Sequence, residues 1–186
     1  MTIEPRTIRS LRSNVTREQA IQAFTASGPA SWYWKLRSGS LQSIADAYLP
    51  FRVYRVRFPV GGAQRTHLFA MDAVDGSLDL FEFPVLPGRA ETVVVPTRNH
   101  APLTLSETRS DELLRDKVLR VIFQQGFFKL RSVKLEAERL PGELHLPYWL
   151  GFYGSEDCLR CRVMDAVRRR IEGSRASAVI EQWLAR

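Results

Sequence analysis

Cysteine occurs twice, at Cys158 and Cys161; histidine three times, at His67, His100 and His145; lysine four times, at Lys35, Lys117, Lys129 and Lys134. Each scarcity closes off a class of chemistry. One Cys-x-x-Cys without a second cysteine or histidine pair does not complete a structural zinc site. On a strand, thiols three residues apart point to opposite faces, so Cys158 and Cys161 are not expected to bridge. Cys161 reads instead as a small buried hydrophobe. Three histidines leave little for a nucleophile–base pair. No phosphate-cradling glycine loop, HExxH motif or Ser/His/Asp order signature accompanies them. No catalytic residue, metal or cofactor is implied. Long apolar runs are missing too: stretches such as Tyr148–Tyr153 fall far short of a bilayer span. The first twenty residues carry Arg6, Arg9, Arg12 and Arg17 and no apolar signal core. The expectation is a cytoplasmic protein without a transmembrane segment.

What is present is ordinary for a globular domain. The 186 residues are 45% hydrophobic and 25% charged, enough to bury a core without staples. The net charge of +7, carried mostly by arginine, favours anionic partners.

The chain repeats itself. Met71-Asp72-Ala73-Val74 recurs as Met164-Asp165-Ala166-Val167. Ahead of the first lie Lys35-Leu36-Arg37-Ser38 and Leu49-Pro50-Phe51; ahead of the second lie Lys129-Leu130-Arg131-Ser132 and Leu146-Pro147-Tyr148. Three blocks in the same order, with small length differences between them, point to an internal duplication. The organisation expected is a basic arm over 1–13, a first unit over 14–83, a connector over 84–108 and a second unit over 109–186, the whole folding as one unit.

Local signals fill in each copy. Thr16-x-x-Gln19 has the form of a capping box and starts a helix that Gly28-Pro29 ends. Trp32–Leu36 and Phe51–Phe58 read as strands, Thr66–Val74 as a returning strand and Asp75-Gly76 as a turn before a strand over Leu78–Phe83. Thr92–Val95 is an added strand in the connector. In the second copy, Leu114, Val118, Val121 and Ile122 mark a helix over Asp111–Gln125. Strands follow at Phe127–Leu135, Leu146–Tyr153 and Cys158–Val167, then a helix over Ser174–Leu184 with an apolar stripe. The fold class is α+β: tandem helix-plus-three-strand units forming antiparallel sheet, with helices on one face. Leu68, Ala70 and Val74, matched by Cys161, Val163 and Val167, should face the core. The opposite set, His67, Phe69 and Met71 against Arg160, Arg162 and Met164, should be wetter.

The strand Thr66–Val74 running into Asp72-Ala73-Val74-Asp75-Gly76, after a helix and a strand, resembles the PepSY-type unit. Those small helix-plus-sheet modules often end a strand in an Asp-Ala-x-x-Gly turn. The likeness is confined to the first copy, because Arg168 and Arg169 replace the turn pair in the second. It implies a mostly non-catalytic module of extracytoplasmic type.

Three functional readings follow. The leading one is a non-catalytic binding or scaffold domain, with Trp32, Trp34, Trp149 and Tyr153 as a ligand groove or protein-partner surface. The second is an anion-binding module for nucleic acid or an acidic membrane surface. Its candidates are Arg160, Arg162, Arg168, Arg169, Arg170 and Arg175. The third is an enzyme with a cleft between copies and Asp72 and Asp165 as paired carboxylates. Against that, each aspartate suits a strand end, accepting backbone N–H groups in a turn.

Overall fold

The computed structural model describes residues 5–26, 39–60, 63–124, 135–154 and 160–185. In chain order these form β1 (Arg6–Leu11), α1 (Arg17–Thr25), β2 (Leu41–Val60), β3 (Ala63–Asp72), β4 (Phe81–Phe83) and β5 (Thr92–Thr97). There follow α2 (Glu107–Gln124), β6 (Glu136–Arg139), β7 (Leu144–Tyr153), β8 (Arg160–Asp165), β9 (Arg170–Ile171) and α3 (Ser174–Leu184). The nine strands make one sheet in the order β4-β3-β2-β7-β1-β5, with β6 on β2, β8 on β7 and β9 on β8. The pairing is antiparallel except for the parallel contact of β1 with β7 at Ser10–His145.

β2 is the spine. Its first half pairs with β7 and its second half with β3, and Leu49 lies opposite Leu146 across the β2–β7 seam. Pro50 of β2 and Pro147 of β7 sit inside these strands without breaking them. Pro50 O accepts the Ala73 N–H at 2.8 Å and Pro147 O accepts the Ala166 N–H at 3.1 Å. A residue's N and O point to the same side of a strand, so each proline's missing donor falls where the neighbouring strand ends, at Asp72 or Asp165. The two registers also match: Phe51 lies opposite Asp72 and Tyr148 opposite Asp165.

Burial divides the sheet by face. Odd positions of β2 (Ala47, Leu49, Phe51, Val53) join Ala70, Leu146, Tyr148, Leu150, Cys161 and Val163 under α3, through Ala176, Val179 and Ile180. Even positions (Tyr54, Val56, Phe58) pack with Phe69 and Met71 under Leu114, Val118 and Ile122 of α2. On that same face α1 puts Ala20 and Phe24 on Tyr153, Met164 and Ala166. Successive strand residues face opposite sides, so α1 and α2 cover one face and α3 the other.

Several expectations change here. Helices lie on both faces, not one. The set Leu68, Ala70, Cys161 and Val163 does face a core, yet the opposite set is not wetter: Phe69 and Met71 are buried under α2, Met164 under α1, and Arg162 is buried as well. The segment expected as a loose basic arm contains β1, which is paired on both edges. The strand expected over Leu78–Phe83 shortens to β4, since Asp72 turns residues 74–78 around its carboxylate. The capping box at Thr16 and Gln19 is present, and the last helix has the expected bounds. The Trp32–Leu36 strand, most of the Phe127–Leu135 strand, and the paired Lys-Leu-Arg-Ser blocks lie outside the described residues.

Candidate functional site

The two Met-Asp-Ala-Val turns are built alike. Asp72 is fully buried. Its Oδ1 accepts the N–H groups of Val74, Asp75 and Gly76 at 3.3, 3.1 and 2.8 Å, and its Oδ2 accepts that of Leu78 at 2.9 Å. Asp165, also fully buried, accepts Val167 and Arg168 N–H on Oδ1, both at 2.8 Å. Burial pushes both carboxyls above the ordinary carboxylate range, and the backbone donors pull them partly back. Both oxygens of Asp72 accept backbone donors, as a turn cap does, whereas Asp165 caps through Oδ1 alone and its buried Oδ2 faces the Arg168 guanidinium at 3.8 Å.

The segment entering each helix docks on the adjacent turn in the same way. Asn14 N–H donates to Ala166 O at 2.8 Å, and its Nδ2 to Val167 O at 2.8 Å. Thr104 N–H donates to Ala73 O at 3.1 Å, and its hydroxyl to Val74 O. Different side chains then hold the two helix entries. Trp149 Nε1 donates to Val15 O at 3.0 Å. Buried Arg52 donates from Nη2 to Leu105 O at 2.7 Å and from Nη1 to Ser106 O at 3.1 Å and the Ser110 hydroxyl.

A cleft opens beside each turn. The first, about 430 Å³, lies between Val74 and Asp75 of the turn, the Pro102–Arg109 approach to α2, and Val179, Gln182 and Trp183 of α3. The second, about 350 Å³, lies between Val167, Leu11 to Asn14, Phe81, Phe83 and the 84–91 loop. The second is apolar, and its charged groups are engaged: Arg12 Nε donates to Ala90 O at 2.8 Å and Glu91 accepts the Gly88 N–H at 2.6 Å. Val85 and Leu86 on that loop are 65% and 54% exposed.

The residues singled out from the sequence scatter. Trp32 and Trp34 lie outside the described residues. Tyr153 is buried and its hydroxyl donates to Phe24 O at 2.9 Å; Trp149 is half-buried against α1. Both fasten α1 to the sheet. Among the arginines, Arg162 is buried with its guanidinium 6.0 Å from the Tyr153 ring centroid. Arg168 donates to Leu80 O at 2.9 Å and lies 4.2 Å over the Phe81 ring, bridging from the second turn to the chain after the first. Arg170 pairs with Glu172 at 2.8 Å. Arg160 is half-buried, and Arg169 and Arg175 are exposed. Arg162 and Arg168 of the basic stretch are thus engaged within the fold, while Arg169 and Arg175 reach the surface. Cys161 is buried, with its thiol pushed up to about 12 by desolvation. Among the described residues no group of three or more His, Cys, Asp and Glu side chains could hold a metal ion, and no helix is long and apolar enough to cross a membrane.

Asp75, Arg109 and Trp183 were not anticipated as site residues. Trp183 reads in sequence as one more member of an apolar stripe, and only the approach of α2 turns it into a cleft wall. Compared with known protein families, curated proteins and solved structures, the chain matches none.

Proposed function

We propose that the chain is a non-catalytic binding domain made of two tandem copies of one helix-and-strand unit, each with a cleft at its Met-Asp-Ala-Val turn. The observation that carries the reading is the pairing of those turns with those clefts. The two carboxylates that could have served an enzyme cap backbone, and the concave surface lies next to them, walled by apolar side chains. That combination suits retention of a ligand better than its conversion.

The duplication rests on matched interactions. Leu49 and Leu146, equivalent in sequence, are cross-strand partners, as a two-fold relation between copies requires. Ala20 and Phe24 of α1 correspond to Ser110 and Leu114 of α2, and all four are buried against strands. Each helix reaches the other copy's strands: α1 packs on Tyr153 of β7 and Met164 of β8 as well as on Leu41 and Ile44 at the start of β2, and α2 packs on β2 and β3. The first copy's likeness to a non-catalytic module points the same way.

The competing anion-binding reading needs the arginines to act together. Titration with duplex DNA, RNA and anionic vesicles at about 50 and 200 mM salt separates the two. The expected result is weak binding with a shallow salt slope. Tight, steeply salt-dependent binding, flattened by Arg169→Gln with Arg175→Gln, would overturn the proposal in favour of an anion module.

A further inference from the structure

We propose that the cleft between α2 and α3 takes a small zwitterion, an α-amino acid with an apolar side chain. This deepens, and rests on, the reading of the chain as a binding domain. The floor and one wall are apolar: Val74, Leu105, Val179 and the half-buried ring of Trp183. The rim carries one charge of each sign, from different elements. Asp75 stands on the turn after β3, and Arg109 on the first turn of α2. They do not neutralise each other. Asp75 accepts the Ser77 N–H at 2.8 Å, and Arg109 pairs with Glu112 at 2.9 Å.

The Arg109–Glu112 pair has both side chains 59% exposed, so it is worth little and yields readily to a ligand carboxylate. The start of α2 reinforces that pull, since a helix N-terminus favours negative charge. Asp75 then faces the ammonium. The Trp183 indole N–H has no hydrogen-bond partner among the described residues, so it too is available to a ligand.

Charge balance selects the ligand class. A simple anion meets Asp75, a simple cation meets Arg109, and a neutral apolar molecule desolvates both charges without pairing either. A molecule with carboxylate and ammonium on one carbon and an apolar body satisfies all three surfaces. The volume of about 430 Å³ is ample for an amino acid, and the several negative charges of a nucleotide would meet Asp75 unpaired.

The test uses the full chain, with NMR amide shifts read against L-leucine, L-phenylalanine and L-tryptophan. The expected result is saturating shifts around Val74, Asp75, Arg109 and Trp183 below about 10 mM ligand. Phenylalaninamide, which lacks the carboxylate, and phenylpropionate, which lacks the ammonium, should each bind about tenfold more weakly. Arg109→Gln should weaken every carboxylate-bearing ligand. Asp75→Asn, which keeps an acceptor for Ser77, should abolish the preference for phenylalanine over phenylpropionate. No shifts at this cleft, or affinities indifferent to either substitution, would overturn the proposal. Shifts confined to the Val167 cleft would also overturn it, while leaving the binding-domain reading in place. Failure of that broader reading would be seen separately, as salt-steep nucleic-acid or vesicle binding through Arg169 and Arg175.

Discussion

Two kinds of buried polar residue decide how this molecule responds to substitution and pH. Asp72 serves four backbone donors from a fully buried site, so Asp72→Ala leaves all four without that acceptor. We expect a loss of about 3 kcal/mol or more in urea unfolding. Asp165→Ala, which strands two donors, should cost roughly half as much. His145 behaves differently. It is buried, its Nδ1 has no partner, and burial holds its pKa below the ordinary 6.5. The unfolded chain therefore takes up this proton before the folded chain does. As pH falls below 6.5, stability contributed by neutral His145 is lost until the folded-state value is reached. Asp72 and Asp165 act with the opposite sign. Their folded values are raised, so protonation on acidification favours the fold. The His145 part is isolated by comparison with His145→Gln. Between about pH 7 and 5.5 the parent should lose stability relative to the variant, by at most about 1.4 kcal/mol per pH unit.

At the scale of elements, the two helix–sheet contacts solve one packing problem with opposite sizes. Under α1 a large Phe24 meets Gly151, where an added Cβ would lie 3.0 Å from the ring. Under α2 a smaller Leu114 shares its cluster with Tyr54. Gly151→Ala should therefore overpack the α1 contact and cost about 1–2 kcal/mol, whereas the same change in a background of Phe24→Leu should cost less. A double-mutant cycle on chemical unfolding measures that coupling, and additivity would show that Phe24 does not set the limit. The start of α1 was readable at this scale because a cap is local: Thr16 and Gln19 satisfy each other's backbone within one turn, whereas α2, expected from Asp111, begins at Glu107. β1 was not readable. Its partners, Thr92–Thr97 and His145, are remote in sequence, and no local pattern encodes a pairing at that range.

For the whole molecule, the exchange of helix cover predicts how it comes apart. Phe58, Phe69 and Met71 of the first half need α2 over them, and Tyr153 and Met164 of the second half need α1. The β2–β7 seam also joins the halves along the centre of the sheet. Fragments 1–100 and 104–186 should each lack a cooperative thermal transition by circular dichroism, because each exposes an uncovered sheet face and an unpaired central strand. Mixed in equal amounts, they should recover a transition. Two independent cooperative melts would show that the halves are separate domains.

The sequence by itself determined what is local or periodic. That includes the repeated turn with its aspartate, the capping box, the bounds of the last helix, and the side of β3 and β8 on which Ala70, Cys161 and Val163 sit. Each depends on neighbours within a few residues or on strict alternation, and both survive whatever the rest of the chain does. Only the tertiary structure decided what covers each face and which charges remain free. Met71, Phe69 and Met164 are buried because a helix from the other half lies over them. Arg168 is engaged because the second turn comes to rest beside Leu80 and Phe81. Asp75, Arg109 and Trp183 line one cleft because the start of α2 and the end of α3 both come to rest beside the first turn. Such contacts join residues tens of positions apart, and their free energy depends on the geometry in which the elements meet, which a one-dimensional pattern does not contain.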